Sequence, residues 1–120
     1  MKAPFLWWLP FGRVPGISPQ ELQTWLKEKP TLQMVDTRSL GEYKQGTLKK
    51  ARHAPVTEMP ASIERLKLDA NRPVVVICQS GHRSIPGTRW LRAQGYEAYS
   101  LNGGLNAWQR AGLKLERPRR

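Results

Sequence analysis

The sequence predicts an α/β domain: a largely parallel β-sheet flanked by helices in three layers. Short runs of β-formers alternate with segments that start on helix-capping residues, and the connections between them are too short for any other arrangement of parallel strands. One run, Pro73 to Ile77 (PVVVI), does not alternate apolar with polar residues. Such a run is a strand buried on both faces, the mark of a parallel sheet covered on each side.

Taken in order, Arg13 to Ile17 reads as a short edge strand, since Pro15 and Gly16 would spoil a central one. Ser18-Pro19-Gln20-Glu21 is a helix start: Ser18 caps, Pro19 takes the first helical position and Glu21 completes a capping box. Leu22, Trp25 and Leu26 then form the apolar face, and Pro30 closes the helix. Leu32 to Asp36 is the next strand. Ser39 to Glu42 repeats the capping pattern and predicts a brief helix through Tyr43 that stops near Gly46.

The stretch Gly46 to Pro55 is loop and short strand, with His53 read as a surface or structural histidine. Ala61 to Leu68 reads as a helix with Ile63, Leu66 and Leu68 turned inward, broken by Asn71-Arg72-Pro73 before the central strand. Ser84 to Gln94 is a helix with Trp90 and Leu91 inward and Gly95 as its stop; Pro86 suits its first turn, while Gly87 weakens it by up to about 1 kcal/mol relative to alanine. Glu97 to Leu101 is a further strand. Asn102-Gly103-Gly104 turns the chain into a last helix around Leu105 and Trp108, ending near Gly112.

The chain's one cysteine, Cys78, follows the central strand, and open parallel sheets place ligands beyond the carboxyl ends of their strands. Asp36-Thr37-Arg38 ends the neighbouring strand and reaches the same rim if the sheet is parallel. The loop Cys78-Gln79-Ser80-Gly81-His82-Arg83 curls from strand to helix, which turns backbone N–H groups inward beside a positive helix start. That is an anion cradle. Gly81 permits unusual backbone angles, and Ser80 and Ser84 offer hydroxyl donors. A cysteine at the lip of such a loop, near Arg83, favours its thiolate and can attack anionic electrophiles. Arg83 has two roles open, contact with substrate or bracing the loop through a carboxylate, and an inert buried thiol is the alternative for Cys78.

Composition narrows the partners. The 120 residues make one small domain, and 20 Lys plus Arg against 9 Asp plus Glu give a net charge of +11, a surface that attracts anions. The basic residues are dispersed and no nucleic-acid module motif is present, so specific nucleic-acid binding is not expected. One cysteine excludes an internal disulfide framework, and a reducing cytoplasm is the default expectation.

The sequence divides into an apolar aromatic arm over 1–12, the domain over 13–116 and a basic tail over 117–120. No stretch approaches the ~20 apolar residues of a transmembrane helix, and the arm (Ala3 to Phe11, APFLWWLPF) has no cleavage signature of a signal peptide behind it. Its Trp7 and Trp8 suit either a weak contact with a membrane interface or an arm folded over the core or a partner.

The wider pattern resembles the single-domain rhodaneses. Val35-Asp36-Thr37-Arg38, Glu42-Tyr43, Gly46 and Ala51 to Pro55 are similar to that family's amino-terminal signature. Val74 to Ser84 resembles its active-site strand and loop, and Leu101 to Trp108 with Gly112 its closing segment, so the likeness covers about Ile17 to Leu115. The resemblance implies the rhodanese fold and transfer of sulfane sulfur. Cys78 would attack thiosulfate or another persulfide donor and hold the outer sulfur as a persulfide. It would then pass that sulfur to cyanide, a thiol or a protein acceptor, with no metal or organic cofactor.

By the same likeness, the amides of Gln79, Ser80, Gly81, His82 and Arg83 would hold the persulfide, Arg83 would orient the anionic donor, and Asp36 with Arg38 would organise the rim. Related cysteine phosphatases and arsenate reductases have a longer loop; the four residues between Cys78 and Arg83 make a smaller cradle, matched to sulfur. A slow sulfur carrier docking on an acidic protein partner is the alternative function. Two segments depart from the family: Thr47-Leu48-Lys49-Lys50 stands where a His-Ile-Pro-Gly turn is usual, and Ile85-Pro86-Gly87 replaces small helix formers.

Overall fold

The computed structural model describes residues 7–9 and 11–118. Strands β1 (Gly16–Ile17), β2 (Gln33–Asp36), β3 (Arg52–His53), β4 (Val74–Ile77) and β5 (Ala98–Leu101) form one sheet in the order β1-β5-β4-β2-β3, and every pairing is parallel. The helices are α1 (Pro19–Glu28), α2 (Leu40–Gln45), α3 (Ala61–Glu64), α4 (Ser84–Ala93) and α5 (Gly104–Arg110), with a 3₁₀ turn at Val56–Glu58 before α3.

The central strand is buried on both faces because its residues alternate between two cores. Val75 and Ile77 join Leu22 of α1 and Leu105 and Trp108 of α5, while Val74 and Val76 join Ile63 of α3 and Trp90 and Leu91 of α4. Connections that step along the sheet one way cross one face and those that step back cross the other, as a single handedness requires. The reversal falls between β2 and β4, and a crevice opens there beyond the strand ends. Asp36 pairs with Ile77 in the register, so Thr37, Arg38 and Cys78 emerge side by side at that crevice.

Local chemistry explains most boundaries. Ser18 and Ser39 each cap a helix through a complete capping box with Glu21 and Glu42, and Gly46 caps the end of α2. The first strand is shorter than the sequence suggests, two residues at the sheet edge, because Pro15 lacks an N–H to extend the ladder. Leu26 is 37 % exposed rather than inward. The predicted helix at Ala61 to Leu68 is a single turn ending at Glu64, since Lys67 takes a left-handed φ of 51°; Ile63 and Leu68 are nevertheless buried. Gly87 has a packing reason: a Cβ there would lie 3.2 Å from Val76 Cγ1, so α4 approaches β4 as closely as a side-chain-free residue allows.

The arm expected over residues 1–12 lies partly outside the described residues, as does the end of the basic tail. Within the described part, Trp7 packs on the α4 side of the core, whereas Trp8 and Phe11 are 57 % and 62 % exposed. Near the other terminus Glu116 forms an antiparallel bridge with Thr47, a pairing with no signal in the sequence. No helix among the described residues is long and apolar enough to cross a membrane.

Candidate active site

The site is built where β4 hands over to α4. Cys78 is fully buried, at 0 % exposure, so it forms the floor of the loop and not its lip as expected. Its Sγ accepts a hydrogen bond from the Gly81 amide at 2.9 Å and lies 3.6 Å from the Ser84 hydroxyl. Ser84 in turn shares a 2.6 Å hydrogen bond with Ser100, which fixes the side chain at the start of α4. Gly81 has φ of 96°, a conformation that favours glycine. Among the described residues, the amides of Gln79, Ser80, His82 and Arg83 have no protein acceptor; donors left so at a helix start are available to an anion.

The loop's carbonyls face the other way. Leu105 and Asn106, at the start of α5, donate their amides to the carbonyls of Cys78 and Gln79 at 2.8 and 2.9 Å. This contact requires Gly104, since a Cβ there would lie 2.6 Å from the Gln79 carbonyl carbon. The two glycines of Asn102-Gly103-Gly104 therefore do more than turn the chain, because one of them lets α5 seat against the loop.

Asp36 and Arg38 meet in a buried pair. Arg38 Nη2 and Nε donate to the Asp36 carboxylate, which also accepts the Arg38 amide and the Thr47 hydroxyl. From there Arg38 Nη1 reaches Gln79 Oε1 at 2.9 Å, and Gln79 Nε2 donates to Asn106 at 2.6 Å. The Gln79 side chain is thus a tie between the rim and α5. Ser80 and His82 are exposed and share a 3.0 Å hydrogen bond. His53 is structural: its Nε2 is 2.7 Å from the Arg38 carbonyl and its ring stacks on Tyr43.

Of the two roles open to Arg83, the structure shows the brace. Its guanidinium grips both oxygens of Glu42, at 2.7 and 3.0 Å, tying the end of the loop to α2. That hydrogen-bonded guanidinium is the main reason the Glu42 carboxyl is held down at about 2, and Glu42 correspondingly raises Arg83. A bidentate pair of this kind fixes orientation as well as charge. Glu42 is a site residue that no catalytic motif singles out in the sequence; its place in the capping box of α2 is the one local signal of its position.

The arrangement is a buried free thiol under an amide-rich loop, with both rim arginines compensated by carboxylates. The family model for the rhodanese-like domain matches residues 18–111. A sulfurtransferase of Allochromatium vinosum is 33% identical over 103 residues, covering 85% of this chain and 94% of that one. The thiosulfate sulfurtransferase GlpE of Vibrio cholerae is 33% identical over 92 residues, covering 76% of this chain and 85% of its own. The solved rhodanese-like domain protein of Staphylococcus aureus superposes with a TM-score of 0.75 at 29% identity, covering 87% of this chain and 98% of the other. With a family match across most of its length, relatives named as sulfurtransferases and a parallel sheet that delivers the cysteine loop to the crevice, this chain belongs to the rhodanese-like domain family.

Proposed function

We propose that the protein is a sulfurtransferase that moves sulfane sulfur through a persulfide on Cys78. The Cys78 thiolate attacks the outer sulfur of thiosulfate. The S–S bond of the donor breaks, its electron pair leaves with sulfite, and Cys78 keeps the outer sulfur as a persulfide anion. Cyanide or a thiolate then attacks that terminal sulfur, the new S–S bond breaks, and the thiolate of Cys78 returns as thiocyanate or a new persulfide departs. No external oxidant or reductant is needed.

The observation that carries this reading is the Gly81 amide on Cys78 Sγ inside a loop whose other amides have no acceptor among the described residues. Donors preorganised around a sulfur stabilise the anionic thiolate and persulfide alike. Intact-mass measurement after thiosulfate treatment tests it. The wild type gains the mass of one sulfur and Cys78→Ala gains none; an unchanged wild-type mass, or a gain retained in Cys78→Ala, overturns it.

A second reading concerns the acceptor. A cavity of about 490 Å³ is lined by four basic residues, Lys49, Lys50, Arg52 and Arg117, against one carboxylate, Glu116, and this net basic concave surface favours an acidic protein as acceptor of the sulfur. Turnover with free cyanide would then be slow and persulfide exchange with that protein fast. Persulfide transfer that is indifferent to reversing the charges of Lys49 and Lys50 removes this reading.

A further inference from the structure

The loop's two rim arginines leave the question of what receives a donor's negative charge. Arg38 closes on Asp36 at 2.8 Å and Arg83 on Glu42 at 2.7 Å. Each pair sums to no net charge, yet a small sulfane-sulfur donor such as thiosulfate is a dianion approaching a thiolate. The loop amides offset part of the repulsion between these like charges, and a cation that is not already paired offsets more of it.

A cavity of about 290 Å³ on one flank of the loop holds such a cation. Its walls include Arg13, Val14, Ser80, Gly81, Ser100 and Asn102. Two of these residues are the thiol's own supports: Gly81 donates its amide to Cys78 Sγ, and Ser100 holds the Ser84 hydroxyl beside the sulfur. Arg13 is exposed and has no ion-pair partner among the described residues. The cavity on the opposite flank is lined by Arg38, Glu42 and Gln79, where the one guanidinium is already bound by Asp36.

Arg13 is also carried on a secured backbone. Arg89 of α4 donates to the carbonyls of Trp7, Leu9 and Phe11 at 3.0, 3.0 and 2.7 Å. On the other side, Ser100 donates its amide to the Pro15 carbonyl at 2.9 Å. Gly12 between them has φ of 104°, and a Cβ there would lie 2.8 Å from Arg89 Nη2. The backbone that carries Arg13 is therefore tied on both sides of it, which keeps the residue at the cavity.

We infer that Arg13 is a donor-binding residue: in this cavity it takes the anionic end of a small sulfane-sulfur donor while the donor's outer sulfur meets Cys78. The assignment rests on the sulfurtransferase reading of the loop. Arg13 has the exposure of a surface side chain, so its replacement leaves folding intact and its effect falls on donor affinity.

Two measurements test it. In steady-state transfer from thiosulfate, Arg13→Gln raises the donor KM about tenfold, the loss of one charge-assisted contact, with kcat within about twofold; Arg13→Lys restores most of the affinity because it keeps the charge. In Cys78→Ser protein, which binds donor without reacting, thiosulfate shifts the backbone amide resonances of Arg13, Val14 and Gly81, and Arg13→Gln abolishes those shifts. An unchanged KM overturns the inference, as do shifts centred on Glu42 and Arg83 with Arg13 unmoved, which mean that Arg83 leaves its carboxylate for the donor. Failure of the wild type to gain sulfur overturns the sulfurtransferase reading instead, and the titration on Cys78→Ser still reports whether Arg13 binds the anion.

Discussion

At the scale of single residues, Glu42 carries two jobs on one carboxylate. It accepts the Ser39 amide at 3.0 Å to complete the cap of α2 and holds Arg83 through both oxygens. Its carboxyl is held at about 2, below an ordinary value of 4.5, so the folded state favours the ionised form more than the unfolded chain does. The stabilisation is present in full above about pH 4.5 and is lost as pH falls towards about 2. The pair is about a third exposed, with side chains at 37% and 35%, so solvent screening limits its worth to about 1 kcal/mol. Denaturant midpoints of wild type and Glu42→Gln should differ by a constant amount above pH 5, draw together as pH falls, and converge below about pH 2. A gap that widens on acidification refutes the account.

Gly104 is the most demanding position of the site. Its φ is 61°, and an added Cβ would press on the Cys78 carbonyl and the Gln79 backbone. These atoms are the very ones that α5 fixes, so Gly104→Ala either separates α5 from the loop or bends the loop itself. The expected loss is about 2 kcal/mol or more of stability together with most of the sulfur loading on Cys78. Thermal unfolding and intact mass read the two effects; a variant that loads sulfur normally would show that the loop does not depend on its seat against α5.

At the scale of elements, the two capping boxes have the same chemistry and different reach. Ser18 Oγ accepts from the Glu21 amide and the Ser18 amide donates to Glu21 Oε1, and among the described residues no side-chain hydrogen bond links that box to the site. Ser18→Ala should lower stability by about 1 kcal/mol and leave sulfur transfer unchanged. Ser39→Ala should cost a similar amount and also slow transfer severalfold, because Ser39 Oγ donates to Glu42 Oε1 and its loss loosens the carboxylate that braces Arg83. Equal activity in the two variants would separate the cap from the loop.

These elements also show what a sequence makes readable. Capping boxes, Pro19 at a helix start and the unbroken Val74–Ile77 run act through neighbours a few positions away, so local spacing reveals them. The Thr47–Glu116 bridge and the close approach at Gly87 depend on residues far apart in the chain. The site divides the same way. The loop from Cys78 to Arg83 was legible as one local motif, whereas the depth of Cys78, the Gln79 tie to Arg38 and Asn106 and the choice of Glu42 by Arg83 are set by tertiary packing.

At the scale of the whole molecule, the net charge of +11 acts, on the proposed sulfurtransferase reading, on an anionic donor before any contact forms. Strand order and register bring the ends of β2 and β4 to one crevice, and the two ion pairs there are neutral, so attraction at a distance comes from the protein's general field together with Arg13, which has no ion-pair partner among the described residues. A field of this kind raises the encounter rate of an anion and weakens as salt shortens its range from about 30 Å at 0.01 M to about 8 Å at 0.15 M. The kcat/KM for thiosulfate should therefore fall severalfold across that interval, with kcat itself nearly unchanged because the chemistry occurs under the loop where Cys78 is buried. Arg13→Gln should lower kcat/KM at every ionic strength and flatten the dependence, since it removes a charge that lines the cavity. A wild-type kcat/KM that does not change with salt would mean that the neutralised pairs and the loop amides alone govern capture, and that the surplus of positive charge serves a surface other than the donor's entrance.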